Sequence, residues 1–301
     1  MRKDSSMTWL VLGANGQLGR SLAEVLKTRG IDHVLWSSKE LDIRSSQNCN
    51  IQIPQLSPNV VINAAAWTDV DGAEENQEGA YAVNAFGAIN LANASKAINA
   101  IFAQVSTDYV FSGNTEEPWS ENSPLDPISV YGASKAAGEV GVLLNYPEKS
   151  YIFRTAWLYS PWGKNFAKTM AKKALNGQDE VTVVNDQFGQ PTNAHDLANQ
   201  IVDTIIEELP FGIYHATNSG QASWFDFAQE VFLICGTSVS RVIPVSSANF
   251  VRTARRPKYS VLSHDAWGKR GISGKDIPAM PDWRISLKTA MPAIISGISK
   301  E

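Results

Sequence analysis

Tyr131 and Lys135 are the two side chains of this sequence whose types and spacing best suit proton transfer. Residues four apart lie on one face of an α-helix, so the lysine ammonium can approach the tyrosine phenol. A free tyrosine has a pKa of about 10, and a nearby cation that stabilises the phenolate lowers this value. The pair therefore predicts a proton donor on a helix, in which Lys135 lowers the pKa of Tyr131.

A glycine-rich segment, Gly13–Gly19, is the second feature with a chemical use. It follows the apolar run Trp9–Leu12 and precedes an amphipathic run that predicts a helix from about Gln17 to Thr28. Glycines permit a tight turn and let backbone N–H groups approach a pyrophosphate, and a helix N-terminus favours the same anion. This order predicts a dinucleotide-binding site, with a strand-to-helix turn that binds nothing as the alternative.

Five apolar segments alternate with helical patterns in the first half of the chain. The alternation predicts an α/β fold with a doubly wound, parallel, Rossmann-like sheet. Ligands of such sheets bind beyond the carboxyl ends of the strands, so the residues that follow each strand are candidates for binding or catalysis. The predicted strands are Thr8–Leu12, His33–Trp36, Val60–Asn63, Ile101–Ser106 and Tyr151–Arg154.

The sequence changes in character after Ser160, where glycines, prolines and tryptophans are scattered and the helical runs are shorter. We predict a dinucleotide-binding domain over residues 1–160 and a mainly substrate-binding region over residues 161–301. The helical run Ala194–Leu209 and the strand-like run Gly212–Ala216 indicate that residues from about 194 to 235 return to the large domain. The densest positive cluster in the sequence is Arg252, Arg255, Arg256 and Lys258.

Composition narrows the class of protein. The chain has 301 residues, 44% of them hydrophobic, and a net charge of −4, which argues against a nucleic-acid-binding platform. No run approaches the ~20 apolar residues that span a bilayer, and no signal peptide is recognisable, so we expect a cytoplasmic protein without a membrane partner. Residues 1–6 are expected to form a solvated tail, and Met7 could equally be the start. The oligomeric state stays open.

Metal-ligating side chains show no pattern typical of a metal site. The four histidines lack ligand spacing, and Cys49 and Cys235 are expected to be separate thiols in a reducing compartment. Asp71 and Glu74, within an acidic run, have capping-box spacing and are interpreted as the start of a helix. We therefore expect no metal ion.

Taken together, these segments resemble the extended short-chain dehydrogenase/reductase family, and within it the dTDP-4-dehydrorhamnose reductases. The resemblance extends over essentially the whole chain and preserves the order of eight blocks. These blocks are Gly13–Gly19, Val60–Thr68, Ser106–Phe111, Tyr131–Lys135, Phe153–Trp157, Asn165–Met170, Asp186–Thr192 and Arg256-Pro257.

The resemblance implies that Tyr131 protonates a sugar ketone oxygen while hydride arrives from a nicotinamide. It implies that Lys135 also holds the nicotinamide ribose and that Thr107 hydrogen-bonds the ketone oxygen. The implied cofactor-binding residues, besides Tyr131 and Lys135, are Gly13, Asn15, Gly16, Gln17, Leu18, Gly19, Asp42, Ile43, Ala65, Ala66 and Thr68. The implied substrate-binding residues are Thr107, Asp108, Trp157 and Arg256, and the implied partner is a nucleotide-linked sugar.

Three of these residues could have a structural role instead of a role in binding or catalysis. Trp157 could be a core aromatic, Arg256 could lie on the solvated surface, and Thr107 could cap a strand end. The residue after Asp108 is Tyr109, whereas the related nucleotide-sugar dehydratases have a glutamate there that serves as the elimination base. Reduction of the 4-keto group is therefore favoured over dehydration.

The cofactor is predicted from the end of the second strand, Ser37-Ser38-Lys39. An acid there would bind the ribose diol of NAD, whereas hydroxyls and a cation favour a 2′-phosphate. We predict NADPH, with NADH accepted, and assign Ser37 and Lys39 to the cofactor site. The alternative is that Glu40 binds the ribose diol and NADH is preferred.

Two other functions share these residues. A reductase for another nucleotide keto sugar would use the same catalytic side chains. Some relatives bind a dinucleotide but act as regulatory subunits of another enzyme; the presence of Thr107, Tyr131 and Lys135 argues against this role.

Overall fold

The computed structural model describes residues 8–177, 180–250 and 252–298. Its strands β1 to β16 are, in chain order, Trp9–Leu12, His33–Trp36, Val60–Asn63, Ile101–Thr107, Ser150–Thr155, Leu158–Tyr159, Val181–Val184, Phe188–Gly189, Thr192–Asn193, Gly212–His215, Asn218–Ser219, Ala222–Ser223, Val242–Val245, Lys269–Arg270, Asp276–Ile277 and Met280–Asp282. Its helices α1 to α10 are Gln17–Thr28, Ser46–Leu56, Val70–Glu75, Gln77–Tyr81, Ala88–Ala97, Val130–Asn145, Phe166–Leu175, Ala194–Ile206, Trp224–Ile234 and Trp283–Ile298. A π-helical turn, Ala82–Gly87, joins α4 to α5.

Six of these strands form one parallel sheet in the order β2-β1-β3-β4-β5-β10. Strand β1 is entirely buried and apolar, which is typical of a parallel strand covered on both faces. The α/β class and the five strands predicted in the first half are confirmed. The strand-like run after Gly212 joins the same sheet, where it pairs with β5.

Helices cover both faces of this sheet. On one face, Leu18 and Leu22 of α1 share a hydrophobic cluster with Leu197 and Ile201 of α8. On the other face, α2, α5 and α6 bury a second cluster that includes Leu91 and Val142. Because the chain passes from β1 to β2 on one side and then to β3 on the other, the order of the strands reverses at the β1–β3 crevice.

A smaller region packs beside the carboxyl edge of the sheet. Helices α7, α9 and α10 enclose a third cluster around Phe227, Trp283 and Met291, against strands β7 and β13. Within the segment predicted to return to the large domain, α8 and β10 contact the sheet, whereas α9 lies in this third cluster. The division of the chain near residue 160 stays a prediction. Among the described residues, no helix is long and apolar enough to cross a membrane.

The start of α3 differs from the prediction. Asp69 caps this helix by accepting a hydrogen bond from the Gly72 N–H at 3.0 Å. Asp71, the predicted cap, instead pairs with Arg256, and Glu74 accepts from the Val130 N–H at 2.9 Å. The capping-box interpretation was wrong because each carboxylate has a stronger partner that is distant in sequence.

Candidate active site

The glycine loop lies against the end of β3. Gly13 has a φ of 78°, and a Cβ on this residue would lie 2.6 Å from the Ala65 backbone nitrogen. A Cβ on Gly19 would collide with the Gly13 carbonyl oxygen. Both positions therefore require glycine, so Gly19 supports the loop from beneath rather than lining a cavity. The first turn of α1 contains no acid that would repel an anion.

Most predicted site residues line one cavity of about 570 Å³, which we call the reaction cavity. It lies at the carboxyl ends of β1, β3, β4 and β5, as the sheet topology predicts. The predicted residues that line it are Asn15, Gly16, Gln17, Leu18, Ala65, Ala66, Thr68, Thr107, Asp108, Tyr131, Lys135 and Trp157.

A second cavity of about 380 Å³, the β2-side cavity, shares several lining residues with the first. Gly13, Ser37, Asp42 and Ile43 line it from the predicted set. The residues common to both cavities are Asn15, Gly16, Ala64, Ala65 and Ala66. A trough that runs from β2 across the glycine loop to Tyr131 has the form a dinucleotide needs, with the pyrophosphate at the start of α1.

Thr107, the last residue of β4, lies close to both Asp108 and Tyr131. Its hydroxyl donates to Asp108 Oδ1 at 3.0 Å and accepts from the Tyr109 N–H at 3.2 Å, so it also caps the turn that follows β4. The nearby Thr107 hydroxyl also opposes the rise in the Tyr131 pKa. Thr107 is therefore a cap at the end of a strand and also lines the reaction cavity, and its hydrogen bond to a ketone oxygen stays a prediction.

Burial dominates the titration of the two central side chains. It raises the pKa of Tyr131 to about 12, and it lowers the pKa of Lys135 to about 8, against the opposing effect of Glu139. The Tyr131 pKa is therefore raised, not lowered as expected, and Lys135 is not among the groups that shift it. The physical reason is that Lys135 Nζ donates to the Val105 carbonyl oxygen at 2.5 Å, and that burial disfavours the charged form of each side chain.

Asp108 is the third buried titratable group of the reaction cavity, with 2% of its surface exposed. Burial raises the pKa of its carboxyl to about 6, although hydrogen bonds from Ser260 and Thr107 oppose the rise. The Asp108 carboxyl therefore changes its charge near pH 6. Its contact with the substrate stays a prediction.

Trp157 has a left-handed backbone, with a φ of 45°, which is uncommon for a bulky residue. Its indole stacks on Trp224, with ring centroids 3.5 Å apart and planes 9° apart. A Cβ on Gly189 would lie 2.6 Å from the Trp157 ring. Trp157 thus lines the reaction cavity while part of its ring packs on protein, so it is half-buried rather than a core aromatic.

The end of β2 differs in detail from the sequence prediction. Ser37 lines the β2-side cavity and donates both its N–H and its hydroxyl to Glu40 Oε2, at 2.8 and 2.6 Å. Lys39 is exposed and does not line the cavity, although its N–H donates to Ser37 Oγ at 3.2 Å. Arg44, which the sequence reasoning missed, does line it and pairs with Asp42.

Arg256 lines a third cavity of about 510 Å³ that shares Tyr109 and Trp224 with the reaction cavity. Its guanidinium forms two hydrogen bonds with Asp71, of 2.8 and 2.7 Å. This bond to Arg256 holds the pKa of Asp71 far below its usual range. Arg256 is therefore a paired cation beside the site, neither freely solvated nor among the residues that line the reaction cavity.

Similarity to known proteins extends over nearly the whole chain. A sequence model described as "RmlD substrate binding domain" matches residues 7–294. The chain belongs to this family. The resemblance to reductases of this type, inferred from eight sequence blocks, is confirmed.

Three relatives illustrate the family. The chain is 41% identical over 290 residues to a dTDP-4-dehydrorhamnose reductase from Streptomyces griseus, covering 95% of this chain and 93% of the relative. It is 37% identical to a dTDP-4-keto-6-deoxy-D-glucose reductase from Streptomyces niveus, with coverage of 95% and 97%. A crystal structure of dTDP-4-dehydrorhamnose reductase from Bacillus anthracis in complex with NADP superposes with a TM-score of 0.89 at 38% identity, covering 95% of this chain and 99% of that one.

Among the lining residues that were not predicted from the sequence are the two cations Arg44 and Lys164, and Trp224. Arg44 could have been found as the cation nearest the predicted adenine contacts Asp42 and Ile43. Lys164 and Trp224 line the reaction cavity from the smaller region, and no local pattern marks either of them.

Proposed function

We propose that this protein catalyses the NADPH-dependent reduction of the 4-keto group of a dTDP-linked 6-deoxysugar, namely dTDP-4-dehydro-L-rhamnose to dTDP-L-rhamnose. The observation that carries the proposal is the meeting of Thr107, Tyr131 and Lys135 in a cavity that continues onto a glycine-lined dinucleotide cradle. The relatives from Streptomyces griseus and Bacillus anthracis carry this activity in their names, and the latter was crystallised with NADP.

When bound, NADPH would supply the hydride that reduces the sugar C4. Tyr131 is protonated at neutral pH, which is the state that a proton donor needs, and gives its hydroxyl proton to the alkoxide forming at the sugar O4. The Thr107 hydroxyl, which donates to Asp108 Oδ1 in the structure, turns its one proton to the same oxygen, where negative charge develops. Lys135, close to its own pKa, stabilises the phenolate that remains on Tyr131 and holds the nicotinamide ribose.

The substrate and cofactor occupy opposite ends of the trough in this proposal. Asp108 and Trp157 contact the sugar, and the third cavity, with Arg256 on its wall, holds the nucleotide diphosphate. Ser37, on the wall of the β2-side cavity, would hold the 2′-phosphate of NADPH. A cytoplasmic location is part of the proposal, supported by the unpaired thiols of Cys49 and Cys235.

The experiment that tests the proposal is a steady-state assay against a panel of nucleotide keto sugars generated in situ. We expect the highest kcat/KM with dTDP-4-dehydro-L-rhamnose. The panel should also include dTDP-4-keto-6-deoxy-D-glucose, because the relative from Streptomyces niveus is named as a reductase of that sugar. A higher kcat/KM with that sugar would reassign the substrate, whereas NADPH binding without turnover of any sugar would indicate a non-catalytic binding subunit.

A further inference from the structure

A short segment of the smaller region, Ser160–Asn165, crosses the start of α1, and we call it the strap. Gln17, the first residue of α1, holds both of its ends. Gln17 Oε1 accepts hydrogen bonds from Ser160 Oγ and from Asn165 Nδ2, each of 3.0 Å. In the middle of the strap, a Cβ on Gly163 would lie 3.5 Å from Gln17 Cγ. The strap is therefore fixed to the part of the protein where the glycine loop becomes a helix.

The conformation of the strap is also fixed from within. The Trp162 N–H donates to Ser160 Oγ at 3.1 Å, and Asn165 Nδ2 donates to the Ser160 carbonyl oxygen at 2.8 Å. Asn165 then caps α7 by accepting from the Lys168 N–H at 2.9 Å. Ser160 is fully buried. Because the strap is held at both ends and begins a helix, Lys164 has a defined backbone position.

Lys164 is the residue of the strap that can meet an anion. It lines the reaction cavity together with Gly16, Gln17 and Leu18. Its side chain is exposed and has no ion-pair partner among the residues that the structure describes. The only other cation lining this cavity in the described chain, Lys135, donates to the Val105 carbonyl oxygen at the opposite end.

A cation would add to what the glycine loop offers an anion. Segment Gly13–Gly19 contains no lysine or arginine, so it offers N–H groups and the helix dipole to a pyrophosphate with two negative charges. The next residue, Arg20, donates to the Asn15 carbonyl oxygen at 3.3 Å and lines neither the reaction cavity nor the β2-side cavity. An ammonium adds charge-assisted hydrogen bonds to the same oxygens. We propose that Lys164, positioned by the strap and Gln17, binds the pyrophosphate of the dinucleotide. This inference rests on the proposed function and adds a binding residue that comes from the smaller region.

The test compares Lys164→Gln with the unchanged enzyme by fluorescence titration. We expect the Kd of NADPH to rise about tenfold at low salt, which corresponds to about 1.4 kcal/mol. The same rise is expected for 2′-phospho-ADP-ribose, which keeps the pyrophosphate, and none for adenosine 2′-monophosphate, which lacks it. The difference should shrink as KCl is raised, because the ammonium is exposed.

Two variants serve as controls. Lys164→Arg keeps the charge and should restore most of the affinity. Lys288→Gln removes an exposed lysine on α10, away from the cavities, and should leave every Kd unchanged. Equal NADPH affinity in Lys164→Gln and the unchanged enzyme would overturn the proposal, as would an equal loss of adenosine 2′-monophosphate affinity.

The remaining outcomes separate this inference from the proposed function. A raised KM for the sugar nucleotide with an unchanged Kd for NADPH would assign Lys164 to the substrate diphosphate and refute the cofactor contact. Failure of the unchanged enzyme to bind NADPH at all would refute the proposed function as well. Normal NADPH binding and turnover with no effect of Lys164→Gln would refute only the role of Lys164.

Discussion

Tyr131 and Lys135 are separated by one helical turn, but their surroundings decide what each can do. Lys135 is buried and Tyr131 is half-buried, and desolvation favours the neutral form at each. For Tyr131 the neutral form carries the proton that a reductase must deliver. For Lys135 the neutral form lacks the charge that stabilises the phenolate, so the lysine, not the tyrosine, limits the active pH range.

Replacing either residue should remove most of the reductase rate. Positioned proton transfer contributes about 10²–10⁴-fold, so Tyr131→Phe and Lys135→Met should each lower kcat by a factor in this range. Steady-state kinetics measures the loss, and an unchanged thermal unfolding midpoint serves as the control for folding. A Tyr131→Phe enzyme that keeps more than a few per cent of the rate would exclude Tyr131 as the acid.

The pH profile of reduction should show an alkaline limb that belongs to Lys135. Its pKa is about 8, so its charge is present below this pH and is lost as the pH rises through it. We expect kcat/KM to fall above about pH 8 in the unchanged enzyme. Lys135→Arg stays charged and should move the limb upwards. A rate that stays level up to the titration of free tyrosine would contradict this assignment.

At the scale of elements, the segment after β2 shows how a local pattern can indicate the correct region and the wrong residue. Ser37 and Glu40 bond to each other, which directs Lys39 into solvent. Arg44 lines the cavity instead, and its Nε and Nη2 bond to Asp42 while Nη1 takes no part in these bonds. A guanidinium held in this way is well placed to meet a 2′-phosphate.

Cofactor discrimination should therefore depend on Arg44 more than on Lys39. We expect the unchanged enzyme to favour NADPH over NADH by about tenfold in kcat/KM, or about 1.4 kcal/mol. Arg44→Ala should reduce this preference, whereas the matched variant Lys39→Ala should preserve it. Measuring both cofactors with the three proteins decides between the two cations, and loss of the preference in Lys39→Ala alone would restore the role of Lys39.

Periodicity and local turn chemistry were sufficient to predict the sheet, the glycine loop and the helix that carries Tyr131 and Lys135. The apolar runs of β1 and β3 are buried on both faces, so their pattern alone indicates strands. Contacts between distant segments could not be predicted in the same way. Asp71 pairs with Arg256 across 185 positions, and Trp224 reaches Trp157 from the other side of the cavity.

At the scale of the whole molecule, a buried polar network joins the sheet to the chain that follows it. Arg154 on β5 pairs with Glu139 on α6 at 2.7 Å and contacts His215 Nε2 on β10 at 3.3 Å. Since Arg154 can only donate, His215 Nε2 must accept, and Nδ1–H donates to the Ser263 carbonyl oxygen at 3.1 Å. The network thus requires a neutral His215.

His215 should make the fold sensitive to acid. Burial, with the nearby Arg154, lowers its pKa to about 3, whereas an unfolded histidine titrates near ~6.5. The unfolded state therefore binds a proton first, and stability is lost as the pH falls from 6.5 towards 3. At pH 5 the loss is about 2 kcal/mol. Urea unfolding at pH 7.5 and pH 5 should show this loss in the unchanged protein and a smaller one in His215→Gln. An equal loss of unfolding free energy between pH 7.5 and pH 5 in the two proteins would show that other groups control acid stability.

In the proposed reaction, hydride passes from NADPH to the keto carbon of a dTDP-linked sugar while Tyr131 supplies the proton. The most direct measurement uses NADPH carrying deuterium at its transferable C4 position, with the product examined by mass spectrometry and NMR. We expect one deuterium at the sugar C4, formed at a rate that falls about 10²–10⁴-fold in Tyr131→Phe. A dTDP-sugar product without deuterium at that carbon, or no product from any 4-keto sugar, would contradict it.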